Sequence, residues 1–236
     1  MQPYFFPYLG YFSLILAADE WVAFDLSSFT KKSWITRNRI ANEIQDWSYI
    51  SIPVSNGTSL KKIYQIDAHE IEVSKQRILN QLSVYKKHAP NYLTVIEIVQ
   101  EGFRLRQSNS IVDLNLACLK SVCRYLGISF NPIRARDIPL NLKEIHHSGS
   151  WALEIAKGLN ATTYINPISG QNIFHPKEFH AAGIDLGFLH FSPFHYASSH
   201  FKFVENLSII DLMMWNSPSK IREAAYLNSK IIKASI

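Results

Sequence analysis

Apolar positions recur at helical spacing in some stretches of the chain and in short blocks in others, and the two patterns alternate along much of its length. In GYFSLILAAD, Tyr11, Leu14, Ile15 and Ala18 fall on one face, which predicts a helix. WVAFDL (21–26) is a short apolar run and reads as a buried strand. LSSFTKKSWITRNRIAN (26–42) has no such pattern and reads as a polar, basic connection. WSYISIPV (47–54) alternates and predicts a strand, with SNGTS (55–59) as a turn. HEIEVSKQRILNQLSVYKKH (69–88) is an amphipathic helix, Ala89-Pro90-Asn91 interrupts it, and a second helix runs from Tyr92 to Phe103.

The clearest helix is QSNSIVDLNLACLKSVCRYLG. Ser108 or Asn109 is placed to cap it, Ile111, Leu114, Cys118 and Val122 line one stripe, and Gly127 ends it. ISFNPI (128–133) follows as a strand. The alternation then continues: helix WALEIAKGL, strand TTYIN, helix PKEFHAA, strand IDLGFLHF, and two closing helices from LSIIDLMMWN and from the tail beginning at Pro218. Helices alternating with short apolar strands predict an α/β fold. The expected architecture is a central, mostly parallel sheet with helices on its faces and a helical C-terminal portion. No Gly-, Ser- or Pro-rich linker and no repeat divides residues 1–236, so one domain is expected.

Composition narrows the function. With 47% hydrophobic and 18% charged residues, the 236-residue chain has the make-up of a folded protein. The net charge of +5 suits an anionic small molecule and falls short of the concentrated basic face of a nucleic-acid binder. Cys118 and Cys123 point to different faces of one helix, so they are expected to be unbridged thiols of a cytoplasmic protein. The apolar run from Pro3 to Ala18 lacks a preceding basic residue and is broken by Pro3, Pro7 and Gly10. It is therefore expected to be neither a signal peptide nor a membrane span.

Four places carry candidate chemistry. The opening MQPYFFPYLGYF puts Gln2, Tyr4, Tyr8 and Tyr11 around a loop that enters a helix near Gly10. Free N–H groups at such a helix start attract anions. The alternative is a structural wedge. Asp25 stands at a strand exit, where open α/β sheets bind ligands, and is the candidate catalytic carboxylate. Beyond it, Lys31, Lys32, Trp34, Arg37, Asn38 and Arg39 form a basic segment with the groups that hold phosphate or carboxylate. A second strand exit offers Asn166, Ser169 and Gly170 as hydrogen-bonding groups. His190, His195 and His200 recur at intervals of five, but no HExxH or CxxC accompanies them and no metal site is expected. His146-His147 reads as a polar loop. No P-loop and no GxGxxG occurs, and no cofactor is expected.

QPYFFPYLGYF, the strand ending in Asp25 and KKSWITRNRI together resemble the N-terminal signature of the WbqC-like family. VYKKHAPNYL, DLNLACLKSVCRYLGI, NATTYINPISG, PKEFHAAGIDLGFL and NLSIIDLMMWN extend the likeness over essentially the whole chain. The resemblance implies a bacterial protein encoded among genes for O-antigen or other surface polysaccharides. It also implies a glycine or acyl transferase that decorates a sugar. In the family a short apolar strand precedes the opening motif, and the sequence here starts at Met1 without it. Members also carry two acidic residues where this chain has Asp25-Leu26, a Gln or Asn near Ser28, and a Gln near Ser198. More loosely, Tyr8-Leu-Gly-Tyr11 falls where HxGH nucleotidyltransferases carry their signature, with tyrosine at both histidine positions. A transferase acting on a nucleotide- or lipid-linked sugar is the leading expectation. Nucleotidyl or adenylate chemistry and a non-catalytic glycan-precursor module are the alternatives.

Overall fold

A computed structural model describes residues 1–55 and 57–235; Asn56, in the predicted turn 55–59, and Ile236, at the end of the tail, lie outside the described residues. In chain order the elements are α1 (Leu9–Leu16), β1 (Val22–Ala23), β2 (Arg37–Asn42), β3 (Asp46–Ser51), β4 (Val54–Ser55), β5 (Asp67–Ala68), α2 (Ile71–Leu82), α3 (Tyr92–Arg104), α4 (Ile111–Leu126), β6 (Ile133–Arg134), α5 (Ser150–Gly158), β7 (Thr163–Pro167), α6 (Pro176–Ala181), β8 (Asp185–Phe191), α7 (Ile209–Trp215), α8 (Pro218–Leu227) and β9 (Ser229–Lys233).

Helix and strand are mixed, as expected, but the large central parallel sheet is not there. Among the described residues the strands form four small sheets. β1 pairs in parallel with β6, β2 and β3 form an antiparallel hairpin, β4 pairs with β5, and β7, β8 and β9 form a three-stranded sheet. β7 runs parallel to β8, and β9 runs antiparallel to it. The basic connection predicted over 26–42 is corrected at its end. RNRIAN is a strand, because Asn38 and Ile40 point into the core while the charged Arg37 and Arg39 take the outer face. The closing helix from Pro218 stops at Leu227, and the tail turns back as β9.

α4 sits at the centre of the larger core. The predicted stripe of Ile111, Leu114, Cys118 and Val122 is fully buried against α3. Gly127 ends α4 at φ +67, a left-handed cap that suits glycine. The N-cap is Ser110, one residue after Asn109 and two after Ser108, and the helix begins at Ile111. Cys118 and Cys123 are both free and buried. A smaller cluster joins α5, α6 and β8 through Ala152, Leu153, Phe174, Phe179, Leu186 and Phe188.

The opening segment is a buried loop, and its composition follows from that. Phe5 and Phe6 are fully buried. Their backbone must then find partners inside the protein. Asn115 Nδ2 donates to Pro3 O and Ile35 O, each at 2.8 Å. Asn38 Nδ2 donates to Phe5 O and Phe6 O at 3.0 Å, and Ser208 Oγ donates to Phe6 O at 2.7 Å. These bonds hold Phe6 at φ +40, a conformation a phenylalanine rarely takes unsupported. No helix among the described residues is long and apolar enough to cross a membrane.

Candidate functional site

Three chain segments leave a short parallel array at its carboxyl edge. The Met1 amino group donates to Val22 O at 2.8 Å and Phe24 N donates to Met1 O at 2.7 Å, which sets Met1 beside Ala23 in parallel register. On the other side Val22 pairs with Ile133 and Ala23 with Arg134. Just past the paired residues lie Gln2 from the first segment, Asp25 two residues beyond β1 and Arg136 two residues beyond β6. Such an edge is where open α/β sheets receive ligands, because loops diverge there and leave backbone and side chains facing a crevice.

Asp25 is the unusual group. It is fully buried, and neither carboxylate oxygen has a hydrogen-bond partner among the described residues. Arg136 Nε stands 3.7 Å from Oδ2. Burial pushes the Asp25 carboxyl above the usual carboxylate range, with the Arg136 guanidinium, then the nearby backbone N–H groups of Asp25 and Arg136, and last the Arg134 guanidinium pulling against it. Arg136 is partly exposed, shares itself with Asp137 at 3.8 Å, and lies 5.8 Å over the Tyr64 ring. Tyr64 is anchored by its own N–H to Asp25 O at 3.2 Å. Gln2 Nε2 donates to Ser27 Oγ at 2.9 Å, tying the opening segment to the loop after β1. Arg134 is paired with Asp113 in the first turn of α4.

The site is therefore a buried acceptor with no donor, next to a guanidinium that retains free donors. A ligand that places an N–H or O–H on Asp25 and an anionic group on Arg136 completes both. Leu26 contributes nothing to it. Val22, Phe24 and Leu26 lie on the opposite strand face, against Ala135, Ile138 and Ile155.

The other predicted residues are distributed differently. Tyr11 is buried, its hydroxyl donating to Gln2 O at 2.6 Å and its ring 5.7 Å from Trp21; burial drives its pKa well up. Tyr4 packs on Tyr11 at 5.6 Å, and Tyr8 sets its ring edge-on to Phe191 at 5.9 Å. Burial raises the pKa of both. The start of α1 near Gly10 is packed under the Tyr8 and Phe191 rings. Asn38 gives its amide to the opening loop and accepts from Arg39 N at 2.8 Å. Lys31 and Lys32 are exposed on the segment before β2. Arg37 lies 4.0 Å over the Tyr49 ring, and Arg39 lies 5.3 Å over Trp47 and 5.7 Å over Trp34. Arg39 also donates to Glu205 O and Asn206 O, so this outer face of the hairpin braces the 205–206 turn. Asn166 accepts from the Tyr164 hydroxyl at 3.2 Å and donates to Pro167 O, beside Gly170. Ser169 lies in the turn of helix that follows β7.

Arg136, Tyr64 and Ser27 were not among the candidates read from the sequence. Arg136 was findable there: it stands three residues beyond the predicted strand 128–133, at a strand exit like that of Asp25. Tyr64 had no local signal.

The WbqC-like protein family matches residues 2–223. An uncharacterized protein of Mycobacterium tuberculosis (strain ATCC 25618 / H37Rv) is 25% identical over 217 residues, covering 90% of each chain. No solved structure matches.

Proposed function

The chain belongs to the WbqC-like protein family, and from that premise we propose that it is a transferase of bacterial surface-polysaccharide assembly. It attaches a glycyl or other acyl group to a nucleotide- or lipid-linked sugar. The observation that carries this reading is Asp25, a buried carboxylate without a donor beside the Arg136 guanidinium, at the carboxyl edge of parallel strands.

The chemistry divides between the two groups. A hydroxyl or amine of the acceptor sugar donates to Asp25. As its oxygen or nitrogen bonds to the acyl carbon, the proton passes to the carboxylate, and the bond from the acyl carbon to the donor's leaving group breaks. A carboxylate whose pKa is raised by burial is a stronger base than a free one. Arg136 holds an anionic group of donor or acceptor, with the exposed Lys31 and Lys32 adding positive potential for phosphates. The protein works without a cofactor and draws its substrates from the cytoplasm.

The test has two parts. Thermal stability is first measured against a panel of sugar nucleotides and aminoacyl donors. A ligand raises the melting temperature of the unmodified chain, and the rise disappears in Asp25→Asn and Arg136→Ala. Mass analysis of the acceptor then reports turnover. A panel with no shift at all removes the reading. A shift without product moves the protein to the binding-module alternative.

A further inference from the structure

Apart from the strand-exit site, a group of histidine and carboxylate side chains converges from segments distant in sequence. His147 lies in the turn that enters α5, and His175 and Glu178 lie at the start of α6. His147 Nε2 is 2.9 Å from Glu178 Oε2, and His175 Nδ1 is 3.0 Å from Glu178 Oε1. The two imidazole rings stack 4.1 Å apart at 27°. One ring nitrogen from each histidine and a carboxylate oxygen lie within 4.8 Å of one another.

The backbone is built to hold this arrangement. Ser150 Oγ accepts from the N–H groups of His146 and His147, and Ser150 N donates to His147 O at 3.1 Å. Gly149 presses directly on the chain that leads to His175, since a Cβ there would lie 2.2 Å from Ile173 O. Only glycine permits that approach. Pro176 fixes the first turn of α6, so that His175 and Glu178, three residues apart, face the same side.

We propose that His147, His175 and Glu178 bind a divalent transition metal of the zinc class. Two imidazole nitrogens and one carboxylate oxygen form a three-ligand set that suits zinc, with a fourth position left to water or a ligand. Two nitrogens out of three argue against magnesium and calcium, which prefer oxygen. The cluster is accessible, the His175 side chain being 58% exposed.

Loading requires a change of tautomer that is legible in the geometry. Gly149 N donates to His147 Nδ1 at 3.1 Å, so the proton of the neutral ring sits on Nε2, toward Glu178. A metal at Nε2 takes that proton's place. The proton moves to Nδ1, and the Gly149 hydrogen bond is given up. The site stands on different residues from Asp25 and Arg136 and does not depend on the transferase reading.

The experiment uses the tag-free full chain, stripped with chelator and titrated with zinc chloride by calorimetry, then with cobalt(II) by visible absorption. One saturable equivalent is expected, with the cobalt bands of a four-coordinate site. Binding is expected to weaken by at least about tenfold in His175→Ala and in Glu178→Gln. His180→Ala, on the same helix but outside the cluster, should bind like the unmodified chain. Circular dichroism establishes that each variant is folded. No saturable uptake, or uptake that survives His175→Ala and Glu178→Gln, overturns the proposal. An equal loss in His180→Ala marks non-specific surface binding and overturns it too.

Discussion

Asp25 shows how one residue can be costly to the fold. Its carboxylate is fully buried and unpartnered, and burial raises its pKa. The sign of the stability effect follows. The folded protein holds the proton to higher pH than the unfolded chain does. The contribution is therefore full below the ordinary Asp range and is lost as pH rises through the elevated folded-state value. Asp25→Asn removes the titration. Denaturant unfolding of the two proteins across acidic to neutral pH should show the stability of the unmodified chain falling relative to the variant as pH rises. A difference that does not vary with pH would show that Asp25 does not titrate abnormally. Gly10 is a second single-residue case. A Cβ there would come within 2.5 Å of the Tyr8 ring and 2.8 Å of Phe191. Overpacking of this kind costs about 1–3 kcal/mol. It is offset by about 1 kcal/mol of helix propensity. Gly10→Ala should lower the midpoint of denaturant unfolding, and an unchanged or higher midpoint would mean that the two rings are free to move aside.

Among the elements, polar side chains inside the core decide which pieces meet. Asp211 in α7 accepts from the Tyr85 hydroxyl at 2.6 Å and the Tyr196 hydroxyl at 2.5 Å, and Tyr85 in turn accepts from Ala41 N in β2 at 2.8 Å. This chain of bonds joins α7, β2 and the turn after α2. Burial raises the Asp211 pKa while both tyrosines oppose the rise. Tyr85→Phe leaves the Ala41 N–H and one Asp211 oxygen unpaired, a loss of about 2–4 kcal/mol. Tyr196 is only half-buried and serves one acceptor, so Tyr196→Phe should cost less. Equal losses in chemical denaturation would mean that the Ala41 bond contributes nothing. Asn115 and Asn38 do the same work for the opening loop, whose carbonyls they hold against α4 and β2.

Over the whole molecule, burial is uneven. The larger core packs α1, α3, α4, α7 and α8 with the β2–β3 hairpin, while α5, α6, β7 and β8 share the smaller cluster. β9 closes that side with Ile231 and Ile232 about half exposed. Regions with fewer buried apolar contacts open at lower free energy. In native-state hydrogen exchange, the amides of β7 and β9 should exchange through a partial opening, while those of α4 should exchange only on global unfolding. Equal protection of the two would mean that the fold opens as a single unit. The expected central sheet belongs to this scale as well. The local pattern found β1, β3, β7 and β8, met β6 only at Ile133, missed β2, β5 and β9, and carried no information about how many strands would join.

The sequence by itself determined the helices, because an apolar stripe of period 3.6 has one way to be buried. The stripe of α4 and its Gly127 stop are the clearest cases. It also pointed to the strand exits as candidate sites, Asp25 among them. It offered Asn38 and Tyr11 as ligand groups, and in the structure both brace the opening loop, because a polar side chain that braces a buried loop looks in sequence like one that meets a substrate. Tertiary structure alone decided those roles. It also brought Arg136 from beyond β6 to within 3.7 Å of Asp25, and His147 to within 2.9 Å of Glu178. Residues 111 and 31 positions apart have no shared periodicity. What joins them is the packing of elements, and that is settled only when the core closes.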